Sequence, residues 1–119
     1  MNMVRKVKVL SIKEPYATLI CNKKKSIETR SYKTNYRGEL YIHASVSKID
    51  KETLNNKELM NIVDNDTFSY GKIICKCKLV DCIYMTSDYI KEIEKINKNI
   101  LVDTMKLVDI VGYLKILNH

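Results

Sequence analysis

Val9-Leu10-Ser11-Ile12-Lys13-Glu14-Pro15-Tyr16-Ala17-Thr18-Leu19-Ile20-Cys21 is the stretch on which the fold of this chain turns. Together with Val7 and Lys8, its first part has the β-branched content and partial alternation of a strand entering a core. Glu14 to Cys21 then reads as a short helix, with Pro15 at the first helical position, where no amide donor is needed, and a stop near Asn22. Lys23 to Lys25 make a basic turn. Ser26 to Arg30 alternates like a strand, which puts Glu28 and Arg30 on the same face. A polar, aromatic-bearing loop, Ser31 to Arg37, is closed by Gly38. Glu39 to Ser45 then alternates cleanly, with Leu40, Ile42 and Ala44 facing one way and Tyr41, His43 and Ser45 the other.

Farther along, Ser47 or Asp50 can cap an amphipathic surface helix whose apolar positions are Leu54, Ile62 and Val63, broken by Asp64-Asn65-Asp66. Gly71 opens the longest strand pattern, Lys72 to Met85. Ser87-Asp88 starts another helix with Ile90, Ile93 and Ile96 recurring, and Val111 to Leu117 is the last strand candidate. No repeat, low-complexity tract or linker interrupts this order, so residues 1–119 are expected to form a single domain. About five strands and about three flanking helices, without regular strand-helix alternation, point to an α+β fold with a mainly antiparallel or barrel-like sheet.

A chain of 119 residues, 45% hydrophobic and 29% charged, is large enough for a core of its own. Its apolar runs fall short of the ~20 residues a membrane span needs. The N-terminus lacks the apolar centre of a signal peptide, so no membrane association and a cytoplasmic location are expected. Cys21, Cys75, Cys77 and Cys82 show no C-x-x-C spacing, and the chain has only two histidines. Buried, reduced thiols are therefore expected, with no metal and no cofactor. The charge is uneven. Residues 1–37 hold ten Lys or Arg against Glu14 and Glu28, a net +8, and the remainder sums to −1. A polyanionic partner explains such clustering, since cations gain from phosphate contact and counterion release; a solvated lysine-rich surface explains it too.

Three blocks carry a family resemblance: Leu10-Ser11-Ile12-Lys13-Glu14-Pro15-Tyr16-Ala17, Lys25-Ser26-Ile27-Glu28-Thr29-Arg30, and Tyr36-Arg37-Gly38-Glu39-Leu40-Tyr41-Ile42-His43-Ala44-Ser45. In order and spacing they resemble the ASCH domain signature L-S-I-x-x-P-[WY]-A, G-x-K-x-x-E-x-R and Y-R-G-x-L-x-I-H-A-S. Lys23 occupies the place of the motif glycine, which would permit positive φ, and Tyr16 and Tyr32 stand where tryptophan is frequent. The resemblance implies a PUA-like pseudo β-barrel associated with RNA. It also implies a cleft beside the helix from Pro15 and the strand bearing Lys25, Glu28 and Arg30.

The chemistry of those residues suits that role. Lys25 and Arg30 supply cationic donors for phosphate, and Glu28 can accept from a base or sugar. Tyr16, Tyr32 and Tyr36 offer stacking platforms, with Lys13, Lys33 and Arg37 as rim contacts of a basic cleft. Glu28 and Arg30 can equally form a structural ion pair, and His43 fits a packed structural role. The expected ligand is RNA or a nucleoside or nucleotide, modified nucleosides included. The alternative is a small hydrolase acting on acylated cytidine-type nucleosides or on single-stranded RNA, with Lys25 and Glu28 in the catalytic roles. ASCH-like amidohydrolases pair such a lysine with a threonine nucleophile, whose place Glu28 fills here, and Thr29 points to the opposite strand face. A third role, as an adaptor for another protein, is open. Oligomeric state is not legible.

Overall fold

The computed structural model describes residues 6–63, 67–84, 86, 88 and 91, and the backbone of 113–118. Along the chain run β1 (Val9–Ile12), α1 (Tyr16–Cys21), β2 (Ile27–Arg30), β3 (Gly38–Ala44), α2 (Lys51–Leu54), α3 (Lys57–Ile62), β4 (Ile73–Tyr84) and β5 (Tyr113–Asn118). The helix expected from Ser87-Asp88 to Ile96 lies, apart from Asp88 and Lys91, outside the described residues, as does the break at Asp64-Asn65-Asp66.

The strands form one mixed sheet in the order β1-β3-β4-β5-β2. β1 pairs with β3 in parallel, and every other ladder is antiparallel. The parallel pair needs a crossover connection, and α1 and β2 lie within it. β1 and β2 are the two edges, and among the described residues no backbone ladder joins them. Arg30 reaches across instead, its Nη2 donating to the Ser11 carbonyl at 2.7 Å. For a side chain on one edge to meet a carbonyl of the other, the sheet must curl until its edges face. It is nevertheless an open α+β sheet in its backbone hydrogen bonding.

Alternation builds the core. Leu10 and Ile12 of β1, Leu40, Ile42 and Ala44 of β3, and Cys77 and Leu79 of β4 all turn inward to meet Ala17 and Ile20 of α1. The opposite side of α1 presents Leu19 to Leu59 and Val63. A six-residue helix is too short to hold itself together in water; α1 persists because it is buried between the sheet and α3. Pro15 stands one position earlier than expected, at the N-cap rather than inside the helix, and its peptide bond with Glu14 is cis. Having no polar side chain, Pro15 cannot cap. The buried Glu14 does so, accepting from the Thr18 amide at 2.8 Å and the Thr18 hydroxyl at 2.5 Å.

Two expectations give way to the structure. The single helix expected after Ser47 or Asp50 is two. Asp50 caps α2 by accepting from the Thr53 amide, and the Asn56 side chain restarts the chain as α3 by accepting from the Leu59 amide. Adjacent Asn55 and Asn56 favour this break, because their side chains compete for backbone hydrogen bonds. Leu54 is consequently 49% exposed, and Leu59 and Val63 carry the packing. The cysteines differ as well: Cys77 and Cys82 are free and buried, but Cys21 and Cys75 form a disulfide. The end of α1 lies over β4 with 5.7 Å between their α-carbons, a span a disulfide readily bridges.

Candidate functional site

After α1 the chain reverses in one tight turn. The amides of Lys24 and Lys25 both donate to the Leu19 carbonyl, at 2.9 and 3.1 Å. Lys23, at the motif glycine's position, takes φ 64°, the left-handed conformation that a glycine would adopt without strain. Lys24 Nζ donates to the Ile62 carbonyl at the end of α3. Lys25 is folded back beneath α1. Its side chain has no exposed surface, and its ammonium stands 4.4 Å from the centre of the Tyr16 ring, a cation–π distance.

From there β2 begins, and Glu28 comes to lie between two cations. Its Oε1 is 3.5 Å from Lys25 Nζ, and its Oε2 accepts from Arg30 Nη2 at 2.8 Å. The same Arg30 nitrogen serves Ser11, so the guanidinium holds Glu28 within β2 and ties β2 to β1. Arg30 Nε is buried and has no acceptor.

These groups border a cavity of about 460 Å³, a volume typical of small-ligand sites. Ser11, Ile12 and Lys13 come from β1 and its end, Tyr16 from α1, Glu28 and Arg30 from β2, and Asp50 and Thr53 from the start of α2. Expected as a basic cleft, it is of mixed sign, with Lys13 and Arg30 set against Glu28 and Asp50. Hydrogen bonds from the side chain and backbone of Thr53, and then the nearby charge of Lys13, lower the pKa of Asp50 below its ordinary 3.8. Lys25 adds its charge from behind Glu28 and Tyr16 without lining the space.

The structure thus gathers Tyr16, Lys25, Glu28, Arg30 and Lys13 around one cavity. The remaining residues named from the sequence lie elsewhere. Tyr32 and Lys33 line a second, smaller cavity. Arg37 donates to the carbonyls of Thr34 and Tyr36 at 3.0 and 2.8 Å and approaches Asp81 at 3.7 Å. His43 Nδ1 hydrogen-bonds the Ser11 hydroxyl across the β1–β3 ladder. Sequence reasoning missed Asp50 as a wall of the cavity, although it had marked that residue as a helix cap. It also missed the buried Glu14–Thr18 pair, whose i, i+4 spacing at a helix start was the available signal.

Among the described residues no helix is long and apolar enough to cross a membrane, and no three His, Cys, Asp or Glu gather to hold a metal ion. No curated protein matches the chain. The family model of the ASCH domain matches residues 10–114, which include every residue of the Lys25–Glu28–Arg30 constellation and its cavity, and the chain belongs to the ASCH domain family.

Proposed function

We propose that this chain is a single PUA-like ASCH domain that binds RNA, or a modified nucleoside within it, in the cavity between β1, α1 and β2. The curl that brings β1 to β2 is the geometry a pseudo β-barrel requires. The observation that carries the functional reading is the state of Arg30. One terminal nitrogen fixes the guanidinium on Glu28 and Ser11, and its buried Nε is a donor without an acceptor. A quarter of the Arg30 side chain, 24%, stays exposed; an oxygen of a bound base, sugar or phosphate meets that exposed part, and a guanidinium already held in place gives up little freedom on binding. Tyr16 supplies an aromatic wall and Lys13 an exposed cation at the rim. Lys25 acts indirectly, holding Glu28 and Tyr16 in position.

Fluorescence anisotropy with a labelled single-stranded RNA of eight nucleotides tests this. Arg30→Lys keeps the charge and removes the fork and the Nε donor; affinity is expected to fall about tenfold, the size of one charge-assisted hydrogen bond, with the salt dependence unchanged. Lys13→Ala is expected to make the log–log salt slope shallower by about 0.7, one single-strand phosphate contact. Wild-type affinity and slope in both variants would falsify the proposal.

A further inference from the structure

On the far side of Arg30, the seam between β1 and β2 opens into a second cavity, of about 230 Å³. We infer that it is a second nucleotide subsite, which takes a base against Tyr32 and a phosphate between Lys8 and Lys33. Its ligand class rests on the nucleic-acid reading of the first cavity; its place rests on its own geometry.

The floor is apolar, formed by the core residues Leu10, Leu40 and Leu79, and the walls carry Lys8, Tyr32, Lys33 and Tyr36. Like the first cavity it is lined by two cations, but unlike it by no carboxylate. The loop that shapes it is already built. The Tyr36 amide donates to Thr34 Oγ1 at 3.1 Å, and the Tyr36 hydroxyl donates to the Glu39 carbonyl. Arg37 ties the carbonyls of Thr34 and Tyr36 together. Lys8 Nζ lies over the Tyr36 ring, 5.5 Å from its centre, so this cation is held at one ring face and the exposed Tyr32 is the ring left to meet a base. Tyr32 is 53% exposed. An apolar floor, an aromatic ring and two lysines in the lining match a planar base joined to a phosphate, the combination that single-strand binders use.

Placement makes the two cavities one track. The first draws on residues 11–13 and 28–30, the second on residues 8–10 and 32–34. As the chain descends β1 it meets the other edge in ascending order, and Arg30 stands at the crossing. Three residue rises along a strand are about 10 Å, so a short oligonucleotide spans both cavities while a lone nucleoside fills one.

The same labelled eight-nucleotide RNA reads this out, with Tyr32→Ala and the double variant Lys8→Ala/Lys33→Ala. All three residues are exposed, so the fold is not at stake. Tyr32→Ala is expected to raise Kd about tenfold at unchanged salt slope, the loss of one stacked base. The double variant is expected to flatten the slope by about 1.4, two single-strand phosphate contacts. If both bind within twofold of wild type at its slope while Arg30→Lys is impaired, the second subsite is overturned and the first cavity's role stands. If Tyr32→Ala and the double variant are impaired and Arg30→Lys and Lys13→Ala are not, the second subsite stands and the first cavity's role fails. A wild-type chain that does not bind the RNA overturns both.

Discussion

Lys23 holds the left-handed conformation at φ 64°, where a Cβ costs roughly 1–2 kcal/mol. Lys23→Gly removes that strain but adds freedom to the unfolded chain, which offsets about 0.4–1 kcal/mol of the gain. The expected outcome is a stability increase of about 0.5 kcal/mol, read as a higher urea midpoint at unchanged m-value; a lower midpoint counts against it. The sequence marked this position because a lysine stood where a family glycine belongs. At the same scale, two-residue alternation was enough to put Glu28 beside Arg30. It could not place Lys25. The motif marked Lys25 as a cationic donor facing the cleft, and the reversal of the chain onto the Leu19 carbonyl instead carries its stem beneath Tyr16.

Elements with a clear period were readable, and those decided by local competition were not. The inward rows of β1 and β3 follow from alternation alone. The split of α2 from α3 depended on two asparagines whose side chains prefer capping to helix interior. For α1, the proline signal was correct in kind and displaced by one residue, since the cap is the carboxylate before it. Thr18→Val preserves the shape of the helix and removes the hydroxyl donor to buried Glu14. The expected loss is about 2 kcal/mol, the worth of a hydrogen bond to a charged group, measured by urea denaturation. A loss under about 0.5 kcal/mol would show that Glu14 is held by its bond to the Thr18 amide alone.

At the scale of the molecule, the pairing of Cys21 with Cys75 was invisible in the sequence because it depends on α1 crossing β4, a long-range contact that cysteine spacing does not encode. The bond closes a loop with a sequence separation of 54, for which chain entropy gives about 4 kcal/mol of stabilisation. Dithiothreitol is therefore expected to lower the unfolding free energy of the wild-type protein by up to that amount and to leave Cys21→Ser/Cys75→Ser unaffected; equal sensitivity of the two proteins rules this out. The separation of Tyr32, Lys33 and Arg37 from the first cavity is another whole-molecule result. Proximity in sequence to Arg30 suggested one site, and the turn of the chain along the seam divides them.

A bare carbonyl on a sheet edge is a template on which another chain can add a strand. Ser11 presents such a carbonyl on β1, and Arg30 of the same molecule covers it. Both edges are only four residues long, and the capping group is charged, so a neighbouring chain finds little backbone to extend. The guanidinium that lines the first cavity thus also guards the sheet against edge-to-edge aggregation.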